Sequence, residues 1–174
     1  MKNTIVKTLI YDNQVRLFFA NNTELINKIL TKNKNIHPIH KQMLGKTISV
    51  ISILTGTLKG EQRISLQITL SEPKYKIFAD ADAKGNVRGY LNDALLHAPM
   101  QHDTSFADLI GSKGTIRVVK GSAMNQFIGI TDMPYQNIID DISHYFIQSE
   151  QTQTYIAANI SFTNDNNIQF SSIL

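Results

Sequence analysis

Asp80-Ala81-Asp82-Ala83-Lys84-Gly85-Asn86-Val87-Arg88-Gly89-Tyr90-Leu91 is the stretch from which the fold is read. Ile77, Ala79 and Ala81 alternate with polar residues on the approach, and Val87 and Tyr90 rise on the far side. Alternation of this kind specifies strands. Lys84-Gly85-Asn86 lies between them, and glycine and asparagine tolerate the positive φ that a tight turn demands. The segment predicts a hairpin. Gly89 sits inside the returning strand, where it costs entropy and offers no side chain to pack. With Arg88 beside it, this is more local specification than a generic hairpin needs.

Residues 4–20 read as another hairpin, turning at Tyr11-Asp12-Asn13-Gln14, with Val15, Leu17 and Phe19 on one face of its second strand. Asn22 or Thr23 caps a helix to about Asn33, with Leu25, Ile26, Ile29 and Leu30 inward. His37-Pro38 opens a second helix with proline in its first turn. Its apolar stripe predicts burial and a run to Leu58 or Lys59, before Gly60. Strands are expected at 63–70, 74–81, 86–92, 115–120, 125–131, 153–162 and 167–174, the last two joined by a turn at 164–167. Residues 92–104 read as a loop, Ser105–Ile110 as a short helix, and Pro134–Ser149 as a helix. In that last helix Ile138, Ile142, Tyr145 and Phe146 are expected to face in, and Asp140, Asp141 and His144 to face out. The sum is a single α+β domain over residues 1–174, with antiparallel hairpins and three or four helices.

Charged residues make up 18% of the chain and apolar ones 42%, a globular balance. Residues 1–63 hold ten Lys/Arg against three acids, whereas 121–174 hold no Lys or Arg and five acids. The basic end keeps a nucleic-acid-binding module as an alternative, though mutual neutralisation of the two ends is favoured. There is no cysteine, which excludes disulfides and thiolate zinc sites within these residues. Met1-Lys2-Asn3-Thr4 leads into a strand without an apolar signal core, and no stretch is apolar enough for a membrane span. A cytoplasmic location is expected.

No nucleophile elbow or phosphate loop is present. Asp80 and Asp82, two apart on a strand, share a face and could do acid–base work or hold a cation, but an exposed polar hairpin end is the stronger reading. Gly85 to Gly89 offers a weak phosphate-binding pattern. His37 and His40 are favoured as helix-surface residues over a metal pair. His97 and His102, beside Asp103 and Asp108, keep a small-molecule enzyme with a pocket near residues 80–108 as a further alternative. His144 is expected to face solvent. The expectation is no catalytic, cofactor-binding or metal-binding residue, and no enzyme.

Several motifs in order carry a resemblance. Gly85-Asn86-Val87-Arg88-Gly89-Tyr90 follows an Ala-Asp-Ala strand, and Tyr145-Phe146-Ile147-Gln148-Ser149-Glu150-Gln151-Thr152 lies downstream. Val6-Lys7-Thr8-Leu9 with Gln14-Val15-Arg16, Leu44-Gly45-Lys46 with Leu58-Lys59-Gly60-Glu61, and Gly114 through Val119-Lys120 complete the set. Together they resemble the 33 kDa heat-shock chaperonin family, the redox-regulated holdase chaperones of the stress response. The resemblance implies two stacked antiparallel sheets with packed helices, and an ATP-independent holdase that binds unfolding client proteins. A homodimer and no membrane partner belong to the same expectation. It also implies a C-terminal four-cysteine zinc segment acting as redox switch, which this chain lacks. Ser171-Ser172 stands where the family carries a glycine pair, and the stop in mid-strand at Leu174 suggests truncation. Gly85, Asn86, Arg88, Gly89, Tyr90, Ser149, Glu150 and Gln151 are read as structural signature residues, with Arg88 and Glu150 expected to pair.

Overall fold

The computed structural model describes residues 4–33, 36–100, 104–163 and 168–173. His102, Asp103, the turn at 164–167 and Leu174 lie outside these residues. Strands β1 (Thr4–Ile10), β2 (Val15–Asn21), β8 (Ala158–Phe162) and β9 (Ile168–Ile173) form one antiparallel sheet, in the order β1-β2-β9-β8. Strands β3 (Arg63–Thr69), β4 (Lys76–Asp82), β5 (Val87–Leu91), β6 (Thr115–Gly121) and β7 (Gln126–Asp132) form the other, in the order β5-β4-β3-β6-β7. Among the described residues five helices accompany them: α1 (Thr23–Leu30), α2 (Pro38–Leu54), α3 (Asp93–Leu96), α4 (Phe106–Ile110) and α5 (Ile138–Ser149). The α+β architecture with two antiparallel sheets is the expected one.

Helix α2 is the centre of the molecule. Thirteen of its seventeen residues are buried, because it packs on β3, β4 and β5 on one side and on β2, β8 and β9 on the other. Its hydroxyls are spent within the chain: Thr47 Oγ1 donates to Met43 O at 2.8 Å, and Ser52 Oγ to Ser49 O at 2.7 Å. Asn22, at the start of α1, turns its side chain inward and donates to Ser52 Oγ at 3.1 Å. The helix stops earlier than expected. Residues 55–57 tighten into a 3₁₀ turn in which the Thr55 and Thr57 hydroxyls donate to Ser52 O and Leu54 O. Gly56 there admits the Phe18 ring, whose atoms come within 2.8 Å of where a Cβ would stand.

Three other boundaries shift for local reasons. Residues 92–104 are not wholly loop: Asn92 accepts from Leu95 N and caps the single turn α3. Helix α5 starts at Ile138 rather than Pro134, because residues 133–136 form a turn with Gln136 at φ 51°. Strand β8 begins only at Ala158, since Gln151 leaves the helix at φ 50° and Thr152 N bonds back to Phe146 O. Asp141 is fully buried and not solvent-facing. Its carboxylate accepts from Tyr135 N at 2.9 Å and from Asn137 N at 2.8 Å, closing the turn ahead of α5.

His40 also departs from expectation. It faces the core, and neither ring nitrogen has a hydrogen-bond partner. Burial holds its pKa below the usual histidine value, and His37 adds to the effect. A depressed folded pKa gives stability that is present above the unfolded pKa, about 6.5, and is lost as pH falls below it. His40→Leu is therefore expected to leave stability at about pH 7.5 unchanged or raised by about 1 kcal/mol, since an unpaired polar group is removed. Urea melts at about pH 7.5 and pH 5.5 should also show a shallower acid loss than in the parent. An unchanged acid slope overturns the assignment.

Candidate functional site

The alternation in β3 to β7 sorts the five-stranded sheet into two faces. Ile64, Leu66, Ile68, Ile77, Ala79 and Val118 point at the core. On the outer face the register aligns one row of Tyr90, Phe78, Gln67, Arg117 and Ile130. A second row carries Arg88, Asp80, Ser65, Val119 and Ile128. Tyr90 is 54% exposed, Ile128 51% and Ile130 61%. The face is concave, with a depression of about 530 Å³ running from Arg88 and Tyr90 to Arg117 and Val119. Phe78 and Tyr90 stack at its floor, ring centroids 5.0 Å apart.

Asp80 is matched by two arginines on this face. Asp80 accepts from Arg63 Nη2 at 2.9 Å and from Arg88 Nε. That partnership raises the Arg88 pKa. Asp82, on the same strand face, serves the hairpin turn instead, accepting from Lys84 N, Asn86 N and Asn86 Nδ2 at 2.8–3.0 Å. The Asn86 side chain contributes most to lowering its pKa. So the two carboxylates do not act together. Gly85, at φ 84°, supplies the turn conformation that the sequence predicts. Gly89 is needed for a different reason, which the sequence does not reveal: Ile48 of α2 packs on it.

The expected Arg88–Glu150 pair is not formed. Glu150, just after α5, takes Lys120 of β6 instead, Nζ to Oε2 at 3.3 Å. Arg88 on β5 and Lys120 on β6 are separated by β4 and β3, a span of about 14 Å at ordinary strand spacing. Each charge found a nearer partner. Glu150 lines a second depression of about 730 Å³ with Gln62, Lys120, Met124, Phe127 and Ser149. Its Oε1 and the Tyr145 hydroxyl are buried without partners, and burial, with the Glu150 charge, pushes the Tyr145 pKa up to about 12.

The histidines do not converge. His97 Nδ1 bonds Asp93 O at 2.8 Å within its own turn. His144 is half-buried against Tyr135, with Asp132 at 3.5 Å, and does not stand free in solvent. Among the described residues no group of three or more His, Asp or Glu could hold a metal ion. The chain has no thiolate, so its residues do not fit a four-cysteine zinc site. No helix among the described residues is long and apolar enough to cross a membrane.

Ile128, Ile130 and Val119 are surface residues that sequence reasoning missed. The available signal was Phe127-Ile128-Gly129-Ile130, apolar at both parities, where a one-sided strand would alternate.

The architecture is that of an α+β domain with a buried central helix and a sheet face that is uncovered among the described residues. A 33 kDa chaperonin from Thermotoga maritima has the same fold, with a TM-score of 0.82 over 97% of this chain and 59% of that one, at 21% identity. The family model described as Hsp33 protein matches residues 3–173, and the chain belongs to that family. The 33 kDa chaperonin of Staphylococcus haemolyticus is 31% identical over 95% of this chain, and that of Bacillus pumilus 30% over 94%. In each case the chain spans 57% of the relative's length.

Proposed function

We propose that this chain is an ATP-independent holdase that acts in the cytoplasm and binds unfolding polypeptides on the outer face of its five-stranded sheet. The observation that carries this reading is that face itself. It presents Tyr90, Ile128 and Ile130 to solvent beside half-buried Phe78 and Val119, with Asp80 neutralised by Arg63 and Arg88. A contiguous exposed apolar patch rimmed by polar groups marks an interaction site. Non-native chains offer the complementary apolar surface, and a holdase needs no nucleotide. Lacking cysteine, this domain cannot be gated by thiol oxidation within its own residues.

Light scattering of a thermally unfolding client tests the proposal. The chain at a several-fold excess should suppress aggregation without ATP, and equally in oxidant, in reductant and with a chelator. Absence of suppression overturns the reading. Dependence on oxidant or metal overturns the ungated mechanism.

A further inference from the structure

Strand β7 is an edge, and two hydrogen bonds that bracket its ladder with β6 fix which main-chain groups are spent. Met133 N donates to Gly114 O at 3.0 Å, and Ser122 N to Asn125 O at 3.0 Å. Hydrogen-bonded and non-hydrogen-bonded pairs alternate along an antiparallel ladder. With the observed register, the hydrogen-bonded pairs are then Ile116–Thr131, Val118–Gly129 and Lys120–Phe127. Ile128 and Ile130 therefore direct N–H and C=O away from the sheet, and their side chains lie on the outer face.

Such an edge is a template for another strand unless it is blunted. The other edges are blunted. Strand β5 is short and carries Arg88, β1 carries Lys7 at its middle, and β8 has a register irregularity at Ser161/Phe162. The interior of β7, Phe127-Ile128-Gly129-Ile130-Thr131, has no charge, proline or bulge.

We propose that the free edge of β7 captures an extended segment of a non-native polypeptide as a sixth strand of this sheet. This deepens the holdase reading and rests on it. The outward donors and acceptors of Ile128 and Ile130 match an extended backbone, whose side chains at every second residue would lie beside Ile128 and Ile130 on the outer face. Main-chain bonds supply affinity without demanding a particular sequence, which suits a protein that meets many clients.

The probe is a fluorescein-labelled peptide of about eight alternating valine and threonine residues flanked by lysines, the length of an ordinary strand. Its analogue is N-methylated at every second amide along one edge. Fluorescence anisotropy should show the analogue binding at least about ten-fold more weakly, because the methyl groups remove main-chain donors and bar strand pairing while the side chains stay the same. Ile130→Pro removes an outward N–H that the β6 ladder does not use, so the sheet survives. Ile128→Lys places a blocking charge on the edge and serves if the proline variant fails to fold. Both should weaken peptide binding about ten-fold or more, whereas Tyr155→Ala, an exposed side chain outside the sheet, should not. Equal binding of the N-methylated peptide, unchanged binding by the folded variants, or no peptide binding by the parent overturns the proposal. If the parent and both variants suppress client aggregation alike, the edge falls and the holdase reading stands. If the parent captures peptide at this edge but suppresses no aggregation, the holdase reading falls instead.

Discussion

Gly89→Val is expected to cost about 3 kcal/mol, at the upper end for overpacking a well-filled core. In a domain of this size that lowers the melting temperature by about 6–12 °C. The reason is a contact between the signature hairpin and the central helix. A Cβ at position 89 would stand 2.4 Å from Ile48 Cδ1 and 3.0 Å from Phe78 O. The methyl end of an isoleucine can normally turn aside, but Ile48 is fully buried, and close-packed interiors leave few voids to turn into. The carbonyl of Phe78 belongs to the β4 backbone and cannot move without disturbing the sheet. Pairing the smaller Gly89→Ala with Ile48→Val tests the cause, because the valine lacks the offending δ-methyl. Ile48→Val alone should cost about 0.5–1.5 kcal/mol. The double variant should cost less than the two singles summed, by about 1 kcal/mol. Strict additivity in urea melts, or a neutral Gly89→Ala, rules out the contact as the reason for glycine.

What the sequence makes legible follows from the range of the forces involved. Strands β3 to β7 lie within two residues of their expected bounds, because alternation is a local property that burial of one face enforces. The stripe on α2 predicts burial, but not that the helix is enclosed by sheets on both sides. Helix ends are set by contacts from elsewhere, and the Phe18 ring over Gly56 comes from a hairpin nearly forty residues away. Charges mislead most. Arg88 and Glu150 belong to the two clearest motifs, yet motif membership carries no distance. Asp80 lies directly opposite Arg88 in the β4–β5 register, and Lys120 reaches Glu150 from β6. His40 and Asp141 look like surface residues by type, and only the packing of their helices turns them inward. The outer face is half legible: Tyr90 stands in a motif, whereas only the strand register places Ile128 and Ile130 on the same outer face.

Asp141→Ala is expected to cost about 3–4 kcal/mol. Its carboxylate is wholly buried and satisfies two backbone donors, Tyr135 N and Asn137 N, which no other acceptor in the turn serves. Each buried donor left unsatisfied costs about 1–3 kcal/mol, and these two are part-buried, which keeps their sum in the lower half of the range. The loss spreads along the chain. Gln136 holds φ 51° within this turn, a conformation that a non-glycine residue keeps only while its surroundings enforce it. Asn137 caps α5 by accepting from Ile139 N, so a loosened turn frays the helix start. That helix carries Tyr145 under Gly129 and delivers Glu150 to Lys120. Asp141→Asn keeps one acceptor and is expected to lose about half as much, its amide donor facing a second N–H. Burial raises the Asp141 pKa despite the two N–H bonds that pull it down. A raised folded pKa gives stability that is full below the unfolded value, about 3.9, and lost as pH rises through the folded one. The penalty of the asparagine variant should therefore shrink as pH rises through that region. Hydrogen exchange gives the local readout: the Tyr135 and Asn137 amides should lose protection in the alanine variant before β3 or β4 does. A penalty under about 1 kcal/mol, or unchanged protection at those two amides, would show that water replaces the carboxylate and that the turn holds without it.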